Sequence, residues 1–89
     1  MCMERIIKSL EKSMRRSELS ATRLADYLYG KGLNRHRLGL GKQYYSKTPN
    51  SELLTAYFKY DERGVAMITK IELKDRGIVI YGKNYEDIK

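Results

Sequence analysis

The sequence predicts an α+β domain in which two or three N-terminal helices precede a three-stranded antiparallel β-meander. Three observations carry that expectation. Apolar residues recur at helical spacing between Met3 and Met14. A second segment, SATRLADYLYG, carries both start and stop signals of a helix. After SKTPNSE, a breaker cluster with the only proline, the apolar period changes from helical to alternating. A chain of 89 residues buries only about 60–65% of its unfolded surface, which is material for one core. One domain is therefore expected over residues 1–89, helical over about 3–42 and sheet over about 53–82.

The first helix rests on Met3, Ile6, Ile7, Leu10 and Met14, which share one face. Glu4 with Lys8 and Glu11 with Arg15 form favourably ordered i, i+4 pairs, and Arg15 and Arg16 suit the negative end of the dipole. Its apolar stripe has two uses open to it: covering the sheet, or pairing with a second copy in a homodimer. In the second helix Ser20 is the expected cap and Leu19 with Leu24 the staple. Ala21, Leu24, Ala25 and Leu28 form the buried stripe, and Gly30 is the expected left-handed stop. The same grammar repeats in LNRHRL. Asn34 is the expected cap there, with Leu33 and Leu38 at the staple positions, so a short third helix is expected from Arg35 after a tight Gly-Lys-Gly-Leu turn.

LLTAYFKY reads as the first strand, rich in aromatic and β-favouring residues. Residues 65–74 read as the second, with Val65, Met67, Thr69, Ile71 and Leu73 on one face and Ala66, Ile68, Lys70, Glu72 and Lys74 on the other. IVIY reads as the third. The connections DERG and DRG each end in the glycine that short hairpin loops place at positive φ.

Composition bounds the function. No apolar run approaches the roughly 18 residues of a membrane span, and MCMERIIKSL meets an acid and a base within five residues, unlike a secretory signal. Cys2 is the only cysteine, so neither an intramolecular disulfide nor a thiolate zinc site is expected. A cytoplasmic protein without metal or small-molecule cofactor is the expectation. Residues 1–50 hold eleven Lys or Arg against four acids, and residues 51–89 hold seven of each, so the whole +7 lies in the first half. A one-signed surface attracts a polyanion, and neutralising phosphates releases their counterions.

The charge concentrates in residues 31–47, KGLNRHRLGLGKQYYSK, which lack any acid and hold five Lys or Arg and the only histidine. A Walker-type phosphate loop is excluded by spacing: Gln43 stands where the loop needs Ser or Thr, and no strand precedes it. His36 between Arg35 and Arg37 offers a base for a 2′-hydroxyl and cations for developing charge, the parts of a ribonuclease. Tyr44 and Tyr45 follow Lys42. One of them is placed to stack on a base or bond a phosphate while the other anchors the segment, since an extended chain turns only one inward.

The order of helices and hairpins, carried by SATRLADYLYGKGLNRHRL and by the hairpin around YDERGVAM, resembles the winged helix-turn-helix superfamily. The resemblance implies duplex DNA binding without catalysis. Arg35, His36 and Arg37 would lie at the start of the recognition helix, and Asn34 would contact adenine or cap. Arg23, Lys31, Lys42 and Lys47 would hold phosphates, with Arg63 or Lys59 acting from the wing. Two alternatives stand beside it: a small endoribonuclease toxin using His36, and a basic adaptor or inhibitor that binds an acidic protein or nucleoprotein complex.

Overall fold

The structure, a computed structural model, describes residues 3–16, 18–39, 41–46 and 54–82, with the backbone alone described at 36–39. Two helices, α1 (Met3–Arg16) and α2 (Ala21–Gly30), are followed by five strands: β1 (Asn34–Gly39), β2 (Lys42–Ser46), β3 (Leu54–Tyr60), β4 (Ala66–Leu73) and β5 (Ile78–Tyr81). A single 3₁₀ turn, Lys74–Arg76, joins the last two. The strands form one antiparallel sheet in the order β1-β2-β3-β4-β5.

Both long helices form as their apolar periods require. Ile6, Ile7, Leu10 and Met14 of α1 and Ala21, Leu24, Ala25 and Leu28 of α2 are buried in one cluster with sheet residues, so the α1 stripe is used within the chain. Ser20 caps α2, its Oγ accepting the Arg23 N–H at 3.2 Å. The residues between the helices also bind the sheet. The Ile68 N–H donates to the Leu19 carbonyl at 2.8 Å and Ser20 bridges Met67, on a part of β4 beyond the end of β5.

The segment expected as a third helix is a strand, and the winged-helix-like, three-stranded arrangement is corrected to two helices and five strands among the described residues, within the same α+β class. Two glycines account for this. The left-handed residue that closes α2 is Gly32, φ 84°, whereas Gly30, expected in that role, is the last helical residue. The Gly32 N–H donates to the Tyr29 carbonyl at 3.1 Å and the Leu33 N–H to the Leu28 carbonyl at 2.9 Å, the paired closure of a Schellman motif. Leu33, expected as a staple, is buried instead in the core cluster that holds Leu28, which completes that motif. Asn34 then begins a strand opposite Ser46. The second glycine is Gly41, φ 70°, beside the Gly39↔Lys42 pair that closes the β1–β2 hairpin. Its carbonyl accepts the Phe58 N–H at 2.9 Å, and a Cβ there would lie 3.2 Å from the Phe58 carbonyl. Glycines that would cost a helix about 1 kcal/mol each are thus what the hairpin uses.

The alternation expected over 65–74 also breaks. Tyr57 pairs with Lys70 and Phe58 with Ile68, leaving Thr69 as the extra residue of a β-bulge. Ala66 and Ile68 therefore join Ile71 and Leu73 on the core side. That face also carries Tyr45, Leu54, Ala56 and Ile80, and α1 and α2 cover it.

The two glycines around the end of α2 call for opposite responses to one methyl group. Gly30 is helical with nothing within 4 Å of an added Cβ, so Gly30→Ala should stabilise the protein by about 0.5–1 kcal/mol. Gly32→Ala, at positive φ, should destabilise it by about 1–2 kcal/mol. Urea unfolding midpoints at constant slope measure both.

Candidate nucleic-acid interface

With the helices on one face of the sheet, the outward positions of four strands share the other. Register aligns Lys42 (β2), Tyr57 (β3), Lys70 (β4) and Tyr81 (β5) in one cross-strand row. Tyr44, Thr55, Glu72 and Val79 form the next row, with Arg37 of β1 opposite Tyr44. Strands about 4.8 Å apart give a four-strand row a span of roughly 14 Å.

Tyr57 organises this face. The Lys42 Nζ lies 5.4 Å and the Lys70 Nζ 4.6 Å from its ring centroid, one lysine from each neighbouring strand. The quadrupole of the ring attracts both ammonium groups, so cations are held where strand pairing alone would leave long chains mobile. The Tyr57 hydroxyl donates to Glu72 Oε1 at 3.2 Å. Burial, then the hydrogen bond to Glu72 and its charge, push the Tyr57 pKa above the ordinary phenol value. At the end of the row Tyr81 is 56% exposed. Tyr60, by contrast, pairs with Ala66 and meets Phe58 edge-on, which puts it on the core side of the sheet and not on this face. Held ammonium groups beside an exposed aromatic ring are the parts from which proteins bind single strands, phosphates to the former and bases to the latter.

Of the residues singled out in the sequence, Lys42 and Tyr44 lie on this face. Tyr45 does not: it is fully buried and donates to Gln43, and exposed Arg35, its partner on β1, sets a positive charge near its hydroxyl. Burial raises the Tyr45 pKa, with Arg35 acting against the rise. Arg23 and Lys31 belong to the helical layer. Arg23 borders a groove of about 230 Å³ with Leu10, Ser13 and Tyr27, and the Lys31 Nζ lies 5.7 Å above the Tyr27 ring. Asn34 is exposed at the start of β1. His36 is the extra residue at a bulge between Arg35 and Arg37, and the side chains of His36 and Arg37, like the whole of Lys47, lie outside the described residues. Lys59 is exposed on β3 opposite Met67.

Arg63 stands in the β3–β4 turn and is paired. Its Nη2 and Nε donate to Asp61 Oδ2 at 2.8 and 3.1 Å, while Asp61 Oδ1 accepts the Arg63 and Val65 N–H groups at 2.9 and 3.0 Å. The Val65 N–H first, and then Arg63, hold the Asp61 carboxyl below its ordinary range.

Sequence reasoning missed Tyr57, Lys70, Glu72 and Tyr81 as site residues. Each strand did carry a signal: Lys42 with Tyr44, Tyr57 with Lys59, Lys70 with Glu72 and Val79 with Tyr81 are period-two pairs with a polar or aromatic outward side. Only the register turns those pairs into rows. Among the described residues no three His, Cys, Asp or Glu side chains gather as a metal site, and no helix is long and apolar enough to cross a membrane.

Because the Asp61 pKa is lowered, the order it gives the turn is complete above the ordinary aspartate value of about 3.9 and is lost as pH falls through the lowered value. In ¹H–¹⁵N spectra the Arg63 and Val65 amides should shift with an acid midpoint below that value, and Asp61→Ala should abolish the transition. Comparison with known proteins found no matching family model, no matching curated protein and no matching solved structure.

Proposed function

We propose that the protein binds single-stranded nucleic acid on the face of its sheet opposite α1 and α2 and acts as a binding protein rather than an enzyme. The observation that carries this reading is the Lys42–Tyr57–Lys70–Tyr81 row, in which two ammonium groups are held against one ring with an exposed ring beside them. Lys42 and Lys70 take phosphates, and Tyr81 stacks on a base. The net charge of +7 draws the polyanion to the surface. Duplex recognition by a helix starting at Arg35 is not carried forward, because that segment is a strand.

Fluorescence anisotropy with labelled single-stranded and duplex oligonucleotides, across a salt series, tests the reading. The single strand should bind more tightly. Lys42→Ala and Lys70→Ala should each lower the salt slope by about 0.7, the loss of one phosphate contact. Tyr81→Ala should cost about 1–3 kcal/mol with the slope unchanged. Arg23→Ala and Lys31→Ala, in the other layer, should have little effect. Tighter duplex binding that depends on Arg23 or Lys31, and not on Lys42 or Lys70, would remove the sheet face from consideration.

A further inference from the structure

The cationic face contains a carboxylate. Glu72 is partly buried on β4 between Thr55 and Val79, two residues from Lys70 on the same strand. Near bound phosphates a carboxylate whose one protein donor among the described residues is the Tyr57 hydroxyl opposes binding, so its presence favours a ligand that brings further hydrogen-bond donors to it. We propose, on the basis of the single-strand reading above, that Glu72 makes this face selective for guanine.

The chemistry follows from what the carboxylate has left to accept. An ionised Glu accepts and never donates, with about four lone-pair sites on two oxygens. Oε1 takes the Tyr57 hydroxyl at 3.2 Å, which fixes the orientation of the group and leaves Oε2 and a second site on Oε1. Guanine presents two adjacent donors, N1–H and N2–H, on its Watson–Crick edge and satisfies both oxygens at once. Adenine and cytosine present one amino group beside a ring-nitrogen acceptor. Thymine and uracil flank their single N–H with two carbonyls. Each of these sets an acceptor against the carboxylate, and the unmatched oxygen is left without its water.

Position supports the same reading. Glu72 pairs with Val79, and Tyr81 is two residues further along β5, a diagonal neighbour on the same face. Diagonal neighbours are roughly 7–8 Å apart, within reach of long side chains and aromatic rings. A base stacked on Tyr81 therefore brings its edge toward Glu72, while Lys42 and Lys70 remain for the flanking phosphates. Stacking alone is indifferent to the base, so the carboxylate is the part of the face that discriminates.

Anisotropy with oligo-dT carrying one central G, A, C or inosine tests the proposal. The G probe should bind about tenfold more tightly than the A, C or all-T probes, and inosine, which lacks the N2 amino group, should fall between. Glu72→Gln should reduce the preference to less than about twofold and leave the all-T probe bound as well or better, since a negative charge is gone. Tyr57→Phe, which frees the carboxylate to rotate, should lower the preference with the fold retained. Equal binding of all probes by the unaltered protein, or a full preference for G in Glu72→Gln, overturns the proposal while leaving the single-strand reading intact. Failure to bind any of the probes overturns both.

Discussion

The end of α2 decides the layout of the basic segment. Had Gly30 taken the left-handed turn and a new helix started at Arg35, Lys42 and Tyr44 would belong to the helical layer. Instead Gly32 closes the helix with two backbone hydrogen bonds, and Leu33 drops into the core beside Leu28. The chain leaves in an extended direction, and α2 and β1 remain in contact. From there, strand alternation and the turn at Gly41 leave little choice. Gln43 and Tyr45 turn toward the core, Lys42 and Tyr44 turn away, and the Gly41 carbonyl ties the hairpin to β3.

Much of the fold was legible because its signals are local. The stripes of α1 and α2, the Ser20 cap and the strands β3, β4 and β5 each depend on residues within a few positions of one another, and the structure has them where the sequence puts them. The error at 34–46 had a physical source. An asparagine before a short basic run is as good a helix cap as a strand start, and Arg, His and Leu discriminate weakly. The informative feature was the pair Gly39 and Gly41 around a single residue, which a helix tolerates poorly and a tight hairpin needs. Besides β1, β2 pairs with β3, a tertiary fact hidden from local periodicity. The candidate site was half legible for the same reason. Lys42 and Tyr44 stood out by their acid-free surroundings, whereas Tyr57, Lys70, Glu72 and Tyr81 come from three strands whose alignment includes a bulge at Thr69.

Charge that is continuous along the chain is divided in space. The hairpin alternates, so Arg35 meets Tyr45 at the core side while Lys42 meets Tyr57 on the far face. The exposed side of α1 adds Arg5, Lys8, Lys12, Arg15 and Arg16 to the helical layer. The molecule thus presents cations in two layers: the helical layer sets the single Lys31 over Tyr27, whereas the sheet layer holds two lysines from different strands against the one Tyr57 ring. That difference, rather than the amount of charge, is why the sheet face is the better candidate for a specific ligand.

The order of the sheet has a kinetic consequence. Every ladder joins strands that are consecutive in the sequence, so none requires a long loop to close before its first hydrogen bonds form. Such a sheet can zip from any of its hairpins outward, and low contact order favours rapid folding. The slow event is left to the two helices, which must cross from the start of the chain to β4 and β5. The Leu19–Ile68 hydrogen bond spans one of these long separations, and it ties the connection between the helices directly to β4, so that sheet and helices form one cooperative unit.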